Sequence, residues 1–176
     1  MAVAMDDSLA EAHARLGQLY MYVNRHEEAI VEVEKAMAMD TNSAVVHFAA
    51  GLVLRFSGKA AESIPVCMKS IRLEPFAPGI YYANLGMAYY QKGDDCEEAV
   101  KACEKAIKLA PEGMIVHFMA TTVFSACNRD KEARKAAKEL LRINPKFSAA
   151  SFTEKLPYKN PKDKEQIVEA LRKAGL

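Results

Sequence analysis

The chain has 176 residues, of which 51% are hydrophobic and 27% charged, so it has ample apolar surface for a core and is not disordered by composition. Its net charge of +1 excludes the global basic signature of a nucleic-acid binder. The charge is uneven: residues 1–127 carry a balance of −5 and residues 128–176 a balance of +6, a polarised solvated surface or a basic C-terminal contact face.

Apolar spacing of the i, i+3/i+4, i+7 type predicts helices over 9–22, 26–39, 43–56, 60–73, 79–92, 95–109, 112–127 and 130–142. Ser8-x-x-Glu11 reads as a capping box before the first of them. Asn24, Gly58, Gly93 and Asn128 stand as breakers between helices, and Pro75, Pro111 and Pro145 follow later ones. Beyond residue 145 the pattern changes. Ser148 to Lys155 suits a short helix, and Leu156-Pro157-Tyr158-Lys159 reads as extended because proline restricts the residue before it. Asn160 with Pro161 then opens a last helix whose stripe is Ile167, Val168, Leu171 and Ala174, ended by Gly175. This helix is expected to cap the array against the second helix of the unit before it. No apolar run approaches the roughly 20 residues of a membrane span, and the N-terminus lacks a signal-peptide pattern.

Four stretches superpose: Ala12-His13-x2-Leu16-Gly17-x2-Tyr20, Val46-His47-x3-Gly51, Tyr82-x2-Leu85-Gly86-x2-Tyr89 and Val116-His117-x3-Thr121. Gly17, Gly51, Gly86 and Thr121 are separated by 34, 35 and 35 residues. Small residues recur on each following helix, at Ala29 and Ala36, Ser63 and Ser70, and Ala99 and Ala106, with Ala133 and Leu140 in the last. This phase over residues 9–145 resembles the tetratricopeptide repeat, with His13, His47, Tyr82 and His117 in place of its tryptophan. The resemblance implies an all-α, right-handed solenoid of about four helix-turn-helix units (9–42, 43–77, 78–111, 112–145), with residues 146–176 as tail and cap. A helix pair cannot cover its own apolar face, so neighbours stack and share a core.

Catalytic signatures are absent. His26-Glu27-Glu28-Ala29-Ile30 begins like a zinc-protease motif but has Ile30 where the second histidine is needed. Ser57-Gly58-Lys59-Ala60 lacks the spacing of a phosphate loop. His13, His47 and His117 share one repeat position and read as packing residues, because stacked repeats hold equivalent positions apart. Cys67, Cys96, Cys103 and Cys127 show no paired spacing, so reduced thiols in a cytoplasmic protein are expected, with Cys67 and Cys103 buried. Cys96, after Asp94 and Asp95, is expected to be exposed but unreactive, because neighbouring acids raise a thiol's pKa. Neither a metal nor a cofactor is expected, and the chain is expected not to be an enzyme.

In the resembled family the first helices line a concave groove. By repeat position this lining includes Met21, Tyr22, Phe48, Leu52, Arg55, Phe56, Met87, Tyr90, Phe118 and Thr122. Ala14, Phe48, Ala83 and Phe118 stand where chaperone-binding members place a carboxylate-gripping lysine, which argues against that role. The aromatic and Met-rich lining suits an apolar or amphipathic protein segment. Two readings stand: open lining, or side chains that are core or covered by the chain's own tail.

Residues 2–7 align with 36–41 at the 34-residue offset, so 1–8 read as the remnant of a preceding repeat, and the chain as part of a longer protein. The stretch Ala2 to His13 and the ending Leu156 to Leu176 resemble the C-terminal repeat region of bacterial class III adenylate/guanylate cyclase-type multidomain regulators. That resemblance implies a signalling context and a regulatory or assembly role. The function expected is a protein-interaction scaffold with a protein or peptide partner and no nucleic acid or membrane insertion. Its alternatives are a homodimerisation module and, less favoured, a small-molecule sensor or enzyme.

Overall fold

The periodicity is realised as helices throughout. The computed structural model describes residues 2–93 and 95–176, with the side chains of residues 2–8 outside that description. Ten helices, and no strand, occur among the described residues: α1 (Ala2–Tyr22), α2 (His26–Met39), α3 (Ala44–Phe56), α4 (Ala60–Leu73), α5 (Gly79–Lys92), α6 (Cys96–Leu109), α7 (Met114–Ala126), α8 (Asp130–Ile143), α9 (Ala149–Glu154) and α10 (Pro161–Lys173). Consecutive helices pack as pairs, α1 on α2, α3 on α4, α5 on α6 and α7 on α8, the arrangement typical of a tetratricopeptide solenoid. The four predicted breakers all adopt positive φ: Asn24 at 60°, Gly58 at 80°, Gly93 at 95° and Asn128 at 57°. A left-handed residue closes the first helix of each pair and turns the chain into the second.

Close approach within a pair depends on missing side chains. A Cβ on Gly17 would sit 2.6 Å from Val33 Cγ1 and 2.9 Å from the Ala29 carbonyl; one on Gly86 would meet Cys103 Sγ at 2.7 Å. Ala29, Ala36, Ser63, Ser70, Ala99 and Ala106 are all buried. Ser63 donates to the Gly51 carbonyl at 2.7 Å, so the serine is a tie between α3 and α4 as well as a small residue.

The chain divides into two compact units. The first comprises residues 1–77 and 157–159, the second residues 78–156 and 160–176. In the first, α3 packs on both α1 and α2; in the second, α7 packs on α5 and α6, and α10 on α7 and α9.

Several expectations are corrected. The first helix begins at Ala2 and runs through Ser8, so the capping box does not open it. The reading of residues 1–8 as a repeat remnant concerns Met1 and side chains outside the described residues. The last helix is capped as read, with Asn160 accepting from Lys162 N at 3.1 Å and Gly175 at φ 97°, but it packs on α7 rather than α8. Its stripe meets the first helix of the preceding pair because α8 already spends its apolar side, Ala133, Ala136, Ala137 and Leu140, inward. The largest correction concerns the cysteines: Cys96 and Cys127 form a disulfide, while Cys67 and Cys103 are buried free thiols. Packing of α6 on α7 brings the first residue of α6 beside the C-cap of α7, a proximity that 31 residues of separation conceal. The reactivity question at Cys96 lapses with the bond, and the neighbouring Asp94 lies outside the described residues.

Candidate functional site

In the first unit the predicted lining residues are placed very differently from one another. Met21, Arg55 and Phe56 are buried, Phe48 and Leu52 half-buried, and Tyr22 exposed. The burial of Arg55 and Phe56 has a definite cause. Residues 157–159 lie against the end of α3, and Tyr158 sets its ring 4.5 Å from that of Phe56. The Arg55 guanidinium stands 4.1 Å over the Phe56 ring and donates from Nη1 to the Tyr158 hydroxyl at 2.5 Å. It also lies 5.6 Å over the Tyr158 ring, so one cation serves two aromatic faces. Lys159 N donates to the Phe56 carbonyl at 2.9 Å. That carbonyl belongs to the last turn of α3, where no intrahelical donor remains. The Lys159 ammonium pairs with Glu27, which holds that carboxyl below its usual range.

Behind this contact His26 is buried, with Nδ1 3.2 Å from Ser57 Oγ. Burial, and then the nearby Lys159 ammonium, push its pKa down. The segment 157–159 is thus held by aromatic stacking, one backbone hydrogen bond, one hydroxyl and one exposed ion pair.

In the second unit Met87, Phe118 and Thr122 are buried and Tyr90 is half-buried. Phe118 is covered by Phe152 at 4.8 Å and Phe147 at 6.2 Å between ring centroids. Thr122 donates to the Phe118 carbonyl at 3.0 Å, spending its hydroxyl on its own helix. Tyr90 lines a cleft of about 480 Å³ with Ser125 and, from α10, Gln166 and Glu169.

The residues that cover these faces, Phe147, Phe152 and Tyr158, are not among the predicted lining. The signal for them was three aromatic residues in a tail otherwise rich in lysine. The three repeat-position histidines do not converge: His13 pairs with Glu32, His47 Nδ1 lies 2.8 Å from the Ser43 carbonyl, and His117 Nε2 lies 2.8 Å from the Pro111 carbonyl. Among the described residues no three His, Cys, Asp or Glu side chains are grouped to hold a metal, and no helix is long and apolar enough to cross a membrane.

Residues 10–43 and residues 79–112 each match the tetratricopeptide repeat family, so the chain carries tetratricopeptide repeats. Solved structures share the fold. PilF of Pseudomonas aeruginosa is 22% identical, with a TM-score of 0.69 over 97% of this chain and 78% of that one. TTC0263, a thermophilic repeat protein of Thermus thermophilus, is 16% identical with a TM-score of 0.69, over 93% of this chain and 91% of that one. YrrB, described as having an unusual peptide-binding site, is 20% identical with a TM-score of 0.60, over 92% and 82%. No curated protein matches the chain.

Proposed function

We propose that this tetratricopeptide-repeat chain is a non-catalytic protein-interaction scaffold whose first-helix faces bind extended apolar or amphipathic segments of a partner. One observation carries the reading: the chain's own residues 157–159 lie against the end of α3 as such a segment would, through Tyr158 on Phe56 and Arg55 and Lys159 N on the Phe56 carbonyl. The residues that receive it are Arg55, Phe56 and Glu27. In this reading the tail is an internal occupant, and a partner segment of similar chemistry competes with it. The peptide-binding site named for YrrB is consistent with this use of the fold. The setting suggested by resemblance, a regulatory or assembly region of a larger bacterial signalling protein, belongs to the same proposal. In a reducing cytoplasm the Cys96–Cys127 bond forms only transiently, so the proposal of a cytoplasmic location turns on the state of that bond.

The test is direct. A labelled peptide Lys-Leu-Pro-Tyr-Lys-Asn, copying residues 155–160, is titrated into the wild-type chain and into Tyr158→Ala. A tethered segment competes at an effective concentration of about millimolar. Saturable binding to the variant, at least tenfold tighter than to wild type, is expected. A folded variant that ignores the peptide would overturn the reading.

Self-association is the second reading, favoured by one observation. Leu19 and Tyr22 of α1, Val23 just after it and Val31 of α2 are apolar side chains left exposed, the first three at 60–62%. Light scattering of the chain alone distinguishes it: a concentration-dependent dimer that Leu19→Lys abolishes favours self-association, and a monomer excludes it.

A further inference from the structure

The stacked helix pairs of this chain show what covers a first helix. Counted from the Gly17 position of the repeat, the residues five before, one before and two after it are Val46, Ala50 and Val53 in α3 and Val116, Ala120 and Val123 in α7. None of them is more than 3% exposed, because α3 packs on the pair α1–α2 and α7 on the pair α5–α6. The same positions in α1 are Ala12, Leu16 and Leu19. There Ala12 is exposed, Leu16 half-buried and Leu19 62% exposed, and Val23, one turn further on, is 62% exposed. A terminal repeat ordinarily turns a polar outer face to water, whereas α1 carries the apolar face of an inner repeat.

The covered interfaces also state the chemistry of the occupant. The pair α1–α2 meets α3 with a seam of small residues: Ala10, Ala14 and Ala36 pack with Val46 and Ala49, and Met37 lies against them. At the equivalent positions of α5 and α6, Ala83 and Ala106 are likewise small and fully buried. Ala12 to Val23 extends about 16 Å at about 1.5 Å per residue, within the length of one helix of such a pair. A second copy cannot supply the pair from its own C-terminal end. In α7 the residue equivalent to Ala14 is Phe118, which Phe152 covers at 4.8 Å, and α10 packs on the same helix. Stacking of copies end to end is therefore blocked.

We propose that the outer face of α1 docks a helix pair of the tetratricopeptide type carried by a partner protein, its alanine-lined seam set against Leu16, Leu19 and Val23 as α1 and α2 are set against α3. The surface is separate from the faces covered by Tyr158 and by Phe147 and Phe152, and the inference does not rest on the scaffold reading.

The experiment uses the full chain with ¹³C-labelled leucine and valine methyls. A peptide copying residues 9–42, a helix pair with that seam, is titrated into it. Saturable binding is expected, with shifts at Leu16, Leu19 and Val23 and none at Val46 or Val53. Leu19→Lys should weaken binding at least tenfold, and Leu141→Lys, at an exposed leucine of α8, should leave it unchanged. A peptide carrying Ala14→Glu and Ala36→Glu should not bind. The hexapeptide Lys-Leu-Pro-Tyr-Lys-Asn should not compete, which keeps the result apart from the scaffold reading; competition would place the helix pair on the Tyr158 face and overturn the proposal. A tandem chain covers the case of a free peptide that does not fold. Residues 9–42 repeated directly ahead of residue 9 keep the 34-residue phase and hold the pair at an effective concentration of about millimolar. The Leu19 methyls that follow the added pair should then shift, and the melting temperature should rise. Leu19 unmoved in both the titration and the tandem chain would refute the proposal. So would shifts at Val53, which mean exchange with the chain's own α1–α2, and so would a dimer of the chain alone that Leu19→Lys abolishes, which makes a second copy the occupant.

Discussion

Tyr158 and Arg55 are joined by a hydrogen bond of 2.5 Å, and both are buried, Arg55 at 1% exposure. A tail residue thereby closes over the end of α3 and supplies an acceptor to a guanidinium that has left water. Two substitutions separate the parts of this contact. Tyr158→Ala removes ring and hydroxyl together, and truncating a buried aromatic costs about 3–5 kcal/mol. Tyr158→Phe keeps the stacking on Phe56 and removes only the acceptor, at about 1.5–3 kcal/mol for a hydrogen bond to a charged group. Urea denaturation should place the two variants in that order. Equal losses would mean that the ring contributes nothing, and no loss in either would mean that the segment does not hold this position in solution.

The disulfide makes a second prediction. Cys96 and Cys127 close a loop with a sequence separation of 31, and a crosslink of that span stabilises by about 3–4 kcal/mol through the unfolded chain. Reduction, or the double change Cys96→Ser with Cys127→Ser, should lower the urea midpoint, and reductant should then have no further effect on the double variant. Thiol counting in the unreduced, denatured protein should find two groups, Cys67 and Cys103. In the folded protein both should react slowly, since both are buried and burial pushes the Cys103 thiol far above its ordinary pKa. Four thiols in the unreduced protein would refute the bond.

These two contacts also mark how far the amino-acid sequence could be read. Helix pairs, left-handed turns and small-residue positions were legible because each rests on local chemistry: the residue at Asn24 or Gly93 adopts positive φ, and the Cβ absent from Gly17 or Gly86 admits the next helix. The tail was legible as elements, since Ser148, Pro157, Asn160 and Gly175 signal locally. What it touches was not. Position in a repeat assigned Arg55, Phe56 and Phe118 to a first-helix face, but whether a face is open depends on where Tyr158, Phe147 and Phe152 come to rest, and no spacing within a repeat encodes that. The Cys96–Cys127 bond was hidden for the same reason, because it depends on packing between α6 and α7.

A third prediction concerns pH. His26 and His47 are buried, and burial is the main cause that pushes both pKa values below the ordinary histidine value of 6.5. For His26 the Lys159 ammonium adds to the effect; for His47 the bond to the Ser43 carbonyl partly opposes it. The folded protein therefore holds fewer protons than the unfolded chain just below pH 6.5, and stability rises with pH wherever the unfolded state binds more. This contribution is fully present above the unfolded value of about 6.5 and is lost as pH falls through it toward the folded values. The carboxylates lowered by ion pairs, such as Glu27 and Glu32, act only below about 4.5 and leave the window clear. The urea midpoint should fall between pH 7.5 and 5.5, and His26→Gln with His47→Gln should flatten the profile. An unchanged slope in the double variant would assign the dependence elsewhere.

The last prediction tests α10 as the cap of the second unit. Ile167 and Leu171 are fully buried against α7 and α9, so the helix contributes core rather than a loose end. At its C-terminal end Lys173 donates to Asn128 Oδ1 at 2.9 Å and to the Ser125 carbonyl at 3.3 Å, placing a cation where the dipole of α7 is negative. The two kinds of contact differ in weight. Truncating a buried Leu or Ile to Ala costs about 2–5 kcal/mol, whereas an exposed lysine contact is worth about 1 kcal/mol or less. Leu171→Ala and Ile167→Ala should each lower the melting temperature by several degrees, while Lys173→Ala should barely move it. Removing residues 160–176 should lower it further and expose the apolar surface of α7, read as dye binding and aggregation on heating. If Leu171→Ala melts with the wild type, α10 is not held on α7 in solution, and the second unit is complete without it.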